Sequence, residues 1–247
     1  MAGVRFRVLA LAAAAVLLGG GCGAVDEVTG EAASPTPPPN GVADKAPEEI
    51  LRLATDAFRK AGSVRVKGNG TSEGSTFALD MRIKGAGGGK GTVTVQHNVV
   101  EILRIGKDAY LKGDADFWKE TTGNPAAAEL LKGKYLKAPG DQPQLKAFLL
   151  FTDAGTFAEH VMKADGTVTK GERRTVAGVE TIAITYTAKK EKATLYVATT
   201  GKPYPMQLST TGEAGETSTL DFTEYDKPLV LKPPPADQVV DTDKLGG

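Results

Sequence analysis

Between Thr76 and Lys84 the side chains sort into two sets by simple alternation. Phe77, Leu79, Met81 and Ile83 form one set, and Ala78, Asp80, Arg82 and Lys84 the other. Residues two apart share a face of an extended chain. The segment therefore predicts a strand with one dry face and one wet face, as in an antiparallel sheet covered on a single side. The same period recurs at Val64/Val66, Val93/Val95, Ile182/Ile184/Tyr186, Leu195/Val197, Met206/Leu208 and Leu220/Phe222. Gly85 to Gly91, Asp165-Gly166 and Thr200-Gly201 separate these runs, and such close spacing predicts a meander. On this reading the 30 glycines serve turns.

Helical patterns interrupt the strands. Ile50, Leu51, Ala54, Ala57 and Phe58 make one apolar stripe. Asp44 is placed to cap it, Pro47, Glu48 and Glu49 suit its first turn, and Gly62 would stop it. Asn124-Pro125 opens a short helix carrying Leu130 and Leu131. Asp141 to Phe151 reads as a second piece with Leu145, Phe148 and Leu149 on one side, and Asp153 caps a third with Phe157 and Val161. The expected architecture is α+β, a single twisted antiparallel sheet of about ten strands with helices packed on one face.

The first 21 residues read as a targeting segment. Arg5 and Arg7 precede an apolar run from Val8 to Leu18, and Gly19, Gly20 and Gly21 lead into Cys22. About 11 apolar residues are too few to cross ~30 Å of hydrocarbon, but they suit a signal peptide. The segment resembles a type II lipoprotein signal, which implies a diacylglycerol anchor with palmitate-type chains on Cys22. It departs from the usual pattern in having Gly19 three places before the cysteine and Leu18 one place further back. Residues 22–43 then form a Pro/Ala-rich tether, with Ser34-Pro35-Thr36-Pro37-Pro38-Pro39 favouring extended polyproline II. The folded domain is expected over 44–247. The localisation that follows is the extracytoplasmic face of the cell membrane, reached through the lipid on Cys22.

Charge narrows the partners. The chain has 30 basic and 30 acidic residues, and loss of Arg5 and Arg7 with the leader leaves 28 against 30. No surplus of cations exists to displace phosphate counterions, which argues against nucleic acid. Cys22 is the only cysteine, so the domain has no disulfide and a thiol nucleophile is excluded. His97 and His160 have no neighbours at metal-ligand spacing. No Gly-x-Ser-x-Gly elbow or Ser-x-x-Lys appears, and Gly85 to Gly91 lacks the Gly-Lys-Ser/Thr ending of a phosphate loop. Asp114 and Asp116, near Trp118, could form a carboxylate pair, but a solvated turn between strands explains them as well. Neither an enzyme nor a cofactor is expected.

Several diffuse features lie along the chain together. They are Cys22, the Pro/Ala spacer, the opening amphipathic helix, Lys107-Asp108-Ala109-Tyr110-Leu111-Lys112 followed by Phe117-Trp118, and the central Leu/Phe helices. Gly178-Val179-Glu180-Thr181-Ile182, Leu220 to Tyr225 and Lys232-Pro233-Pro234-Pro235 complete the set. In this order the chain resembles the LppX/LprG-type lipoproteins of mycobacteria and related actinobacteria, within the LolA-like superfamily. The resemblance implies a half-barrel sheet with helices on its concave face and a hydrophobic pocket that carries or presents lipids or lipoglycans. It brings no catalytic residues.

Alternation and helical stripes alone nominate the lining of such a pocket: Phe77, Leu79, Met81, Ile83, Val93, Val95, Phe148, Leu149 and Phe157. The same residues would serve equally as an ordinary core. Two functions therefore stand. One is a monomeric, membrane-anchored lipid carrier that takes up acyl chains, with a transporter or regulatory protein as a possible envelope partner. The other is a sensor or protein-interaction module that uses the same fold without lipid transfer.

Overall fold

The computed structural model describes residues 37–241, apart from 73, 86, 141, 143–144 and 189–190. All belong to one compact unit, Thr36–Gly247. The leader, Cys22 and most of the tether lie outside the described residues.

Two antiparallel meanders make one open sheet. The first runs β1 (Val64–Ser72), β2 (Ser75–Ile83), β3 (Gly88–Val95), β4 (Asn98–Ile105), β5 (Asp108–Lys112) and β6 (Tyr135–Pro139). The second runs β7 (Thr169–Val176), β8 (Val179–Ala188), β9 (Glu191–Ala198), β10 (Pro205–Thr211) and β11 (Thr217–Thr223). β1 pairs with β11, with Val66 opposite Phe222, and joins them. A final strand, β12 (Val239–Asp241), lies parallel to β6 at the far edge. The strand order is β12-β6-β5-β4-β3-β2-β1-β11-β10-β9-β8-β7. The α+β single sheet expected from the alternation is therefore present, with one parallel pair at its margin.

α1 (Pro47–Lys60), α2 (Ala115–Thr122), α3 (Pro125–Leu131), α4 (Lys146–Leu149) and α5 (Ala154–Val161) supply the other layer. α1 buries Ile50, Leu51, Ala54 and Phe58 of the expected stripe and leaves Ala57 half-buried. Its start differs from expectation: Ala46 occupies the cap position, and Asp44 lies in a 3₁₀ turn at Val42–Asp44. Pro47 sits at the first helical position, where its missing N–H costs nothing. Asp114 is no loop carboxylate: its side chain accepts from the Phe117 N–H at 2.8 Å and caps α2. Asn124 and Asp153 cap α3 and α5 in the same way. Among its described residues, the region read as one helix from Asp141 to Phe151 is α-helical only in α4, with 3₁₀ conformation at Leu145 and again at Leu150–Thr152.

The core lies between these layers. Phe58, Phe157 and Phe222 are fully buried, with ring centroids 5.4 to 6.0 Å apart. They tie α1, α5 and β11 together, with Phe222 edge-on to the other two rings, and these contacts add to their burial. Not all glycines serve turns. A Cβ on Gly68 would fall 1.9 Å from the Thr219 carbonyl, and Gly91, at φ 156°, would place one 2.1 Å from that of Asp80. Both sit within strands where a neighbouring backbone comes too close for any side chain.

The folded unit also takes in residues 38–43, which the composition assigned to the tether. Pro39 bridges Thr200, the Asn40 side chain donates to the Ala198 carbonyl at 3.0 Å, and Val42 is buried in the core. Near β10, Tyr204 and Tyr225 stack at 3.9 Å. Asp226 receives hydrogen bonds from Lys202 (2.9 Å), Tyr204 (2.7 Å) and the Gly62 N–H (2.8 Å). These donors, Lys202 foremost, hold its carboxyl at about 2, below the usual aspartate value.

Two measurements test this account. Phe222→Ala should cost about 3–5 kcal/mol in urea unfolding, because the ring cluster cannot collapse into the space left. Asp226→Asn should lower the melting temperature at pH 7 by an amount worth under about 1 kcal/mol, since the site is solvent-screened. A depressed acid stabilises the fold above its ordinary value and loses that contribution as pH falls through its folded value. The gap between the two proteins should therefore be full above pH ~4 and close near pH 2.

Candidate functional site

The side chains nominated from the sequence fall mostly into one layer. Leu79, Met81 and Ile83 on β2 are buried, and Val93 on β3 lies opposite Leu79. Phe157 is buried on α5 and Leu149 on α4. Phe148 is half-buried, with its ring edge-on to Phe117 at 5.8 Å. Phe77 is half-buried where β2 meets Val95 on β3, and Val95 is 42% exposed and outside the main cluster. Six of these residues thus lie in the core, Phe77 and Phe148 pack against it, and Val95 stays at its rim.

Other residues share this layer and escaped nomination. Ile102 on β4 faces Gly91 and Leu111, and all three lie on the Met81 side of the sheet. The alternation of Val100 and Ile102 could have revealed them. Phe117 and Trp118 lie on α2 and are buried there, with ring centroids 4.9 Å apart. α2 packs across β4. At this contact the Asn98 amide donates to Glu120 at 2.8 Å. Its carbonyl oxygen and the Trp118 indole N–H are buried without a hydrogen-bond partner among the described residues. Leaving such groups unpaired costs about 1–3 kcal/mol each. An acceptor and a donor are therefore available beside an otherwise apolar layer.

The opposite face of the sheet is charged. Arg65 on β1 grips Asp80 on β2 through two hydrogen bonds of 2.8 and 2.6 Å and also reaches Glu224 at 3.0 Å. Glu224 additionally accepts from Arg82. Glu224 has φ 53°, a left-handed conformation that costs a non-glycine residue about 1–2 kcal/mol. The two guanidinium contacts compensate it. Hydrogen bonding to Arg65 keeps the Asp80 carboxyl below its usual range, while the same contacts raise Arg65 further.

After Glu224 the chain crosses this outer face on its way to β12. Leu229 is buried, and Leu231 lies over Gly88, 3.3 Å from where a Cβ would stand. Between this strap and the sheet lies a groove of about 840 Å³, bordered by Arg82, Lys90, Thr92, Tyr135, Lys232 and Gln238 among others. Tyr135 donates to Glu101 at 2.7 Å, and burial together with that bond pushes its hydroxyl up to about 12. Of the nine nominated residues, only Leu79 borders a depression described on this face, a second one of about 610 Å³.

The two histidines stand apart, His97 in the β3–β4 turn and His160 exposed on α5. Among the described residues no three His, Cys, Asp or Glu side chains converge as a metal set.

No family model and no curated protein matches the chain. Solved structures do. LprF from Mycobacterium bovis superposes with a TM-score of 0.53 at 13% identity, over 81% of this chain and 99% of that one. The Mycobacterium tuberculosis lipoprotein LppX gives 0.51 at 15% identity, over 76% and 100%. At such identities the likeness is one of fold. The chain shares its fold with LprF and with the lipoprotein LppX, in line with its resemblance to the LppX/LprG type.

Proposed function

We propose that the protein is a lipid-anchored envelope protein that binds acyl lipids between the apolar face of its sheet and the helices above it. The observation that carries this reading is the roof over β2 to β5. It consists of short helices, of which α2 holds eight residues and α4 four. They meet through the edges of Phe117 and Phe148, not through a long interlocked seam. An acyl chain sliding beneath such a roof would gain about 0.8 kcal/mol per buried CH₂. The unpartnered Trp118 N–H and Asn98 carbonyl would then meet ester or hydroxyl groups of the lipid. Binding of this kind needs no titrating group, so the role proposed is carriage or presentation and not catalysis. Cys22 would hold the domain at the extracytoplasmic membrane surface through its attached lipid.

The close packing of Leu79, Met81, Ile83 and Phe157 favours a second reading, in which the interior stays shut and the domain serves as a sensor or protein-interaction module. Native mass spectrometry of the detergent-solubilised chain separates the two. Co-purified or newly loaded phospholipid in stoichiometric amount is expected for a carrier. A bare protein mass after incubation with phospholipid vesicles would leave only the module.

Trp118 is the sole tryptophan, which makes it a built-in reporter. Phospholipids brominated along their acyl chains should quench its fluorescence, and Phe148→Ala, which loosens the roof, should lower the lipid concentration needed. Emission indifferent to brominated lipid would place the acyl chain elsewhere or nowhere.

A further inference from the structure

The groove under the C-terminal strap lies on the face of the sheet away from the helices, so it is separate from the interior considered above. Its charges are unevenly compensated. Asp80 is held by Arg65 and by Lys67 at 3.7 Å. Glu101 is held by Tyr135 and by Lys112 at 3.5 Å, and Glu224 by Arg65 and Arg82. Asp80, Glu101 and Glu224 thus already have cationic or hydroxyl partners.

Lys90 and Lys232 are different. Both border the groove and both are exposed. Lys90 makes one long hydrogen bond, 3.4 Å to the Val230 carbonyl, and neither lysine has a carboxylate partner among the described residues. One lysine comes from the sheet and the other from the strap, so both walls of the groove carry positive charge. The groove is also bordered by Thr92 and Gln238, which carry hydrogen-bonding groups, and by Tyr135, Pro234 and Pro235, which carry apolar ring faces. The strap is fixed at both ends, by Leu229 and Leu231 at one and by the β12–β6 pairing at the other. The groove is therefore largely formed before anything enters it, which reduces the ordering cost of binding.

We infer that this groove is a second binding site, for a small anionic and hydroxyl-rich molecule of the phosphorylated-sugar class. The two lysines act as point charges toward the phosphate. Thr92 and Gln238 meet sugar hydroxyls, and the ring faces meet sugar C–H surfaces. A volume of about 840 Å³ is far more than a bare phosphate fills and within the range of small-molecule sites.

The test uses the full chain in a neutral detergent, titrated calorimetrically with glucose 6-phosphate, glucose and inorganic phosphate. Glucose 6-phosphate should bind at least about tenfold more tightly than either of the others, a gap of about 1.4 kcal/mol. The double variant Lys90→Gln, Lys232→Gln should lose at least that factor with an unchanged melting temperature. Lys192→Gln, on β9 and outside the groove lining, should bind like the parent. Absence of glucose 6-phosphate binding, equal binding of inorganic phosphate, or undiminished binding by the double variant would each overturn the assignment. None of the probes carries an acyl chain, so the result is independent of whether the interior takes up lipid.

Discussion

The pairing of β1 with β11 is the constraint on which the rest of the structure depends. The strands come from opposite ends of the described chain, and each belongs to its own meander. Without their contact, two sheets would expose backbone edges and half of an apolar layer each. Their registration sets Val66 against Phe222 and Gly68 against Leu220, which puts the Phe222 ring under Phe58 and Phe157. A non-local pairing of this kind must close a long loop before it gains any contact, which makes it a slow step in folding. The absence of a side chain on Gly68 is what lets the two backbones approach there.

The seam also divides labour between the faces. Inward from it, alternate residues build the apolar layer beneath the short helices. Outward, the same strands carry Arg65, Asp80 and Arg82, and Glu224 just beyond β11 completes that network. Because one residue of slippage would exchange the two sets, the salt-bridge network and the aromatic cluster report the same register from opposite sides. The fold is thus specified twice, once by burial and once by charge.

Much of this was legible in the sequence where periodicity was strict. Thr76 to Lys84 declared the orientation of β2, and the other alternating runs declared that one face would be dry. The stripe from Ile50 to Phe58 declared α1. What stayed hidden depended on partners distant in the chain. β6 and β12 are short, and each exists through pairing at a sheet margin rather than through its own pattern. The strap and its groove arise only when Leu231 meets Gly88. Asp114 looked like half of a carboxylate pair because capping is a property of backbone geometry, which residue type leaves open. Trp118 and Asn98 were likewise indistinguishable from ordinary polar or aromatic residues until burial left them without partners.

The other margin of the sheet is β7, seven of whose eight residues are exposed. It carries Lys170, Glu172, Arg173 and Arg174, and its register slips between Lys170 and Arg173. Two copies brought edge to edge would oppose basic residues to basic residues along an uneven hydrogen-bonding line. An edge of this composition lets copies of the chain meet without stitching into a continuous ribbon.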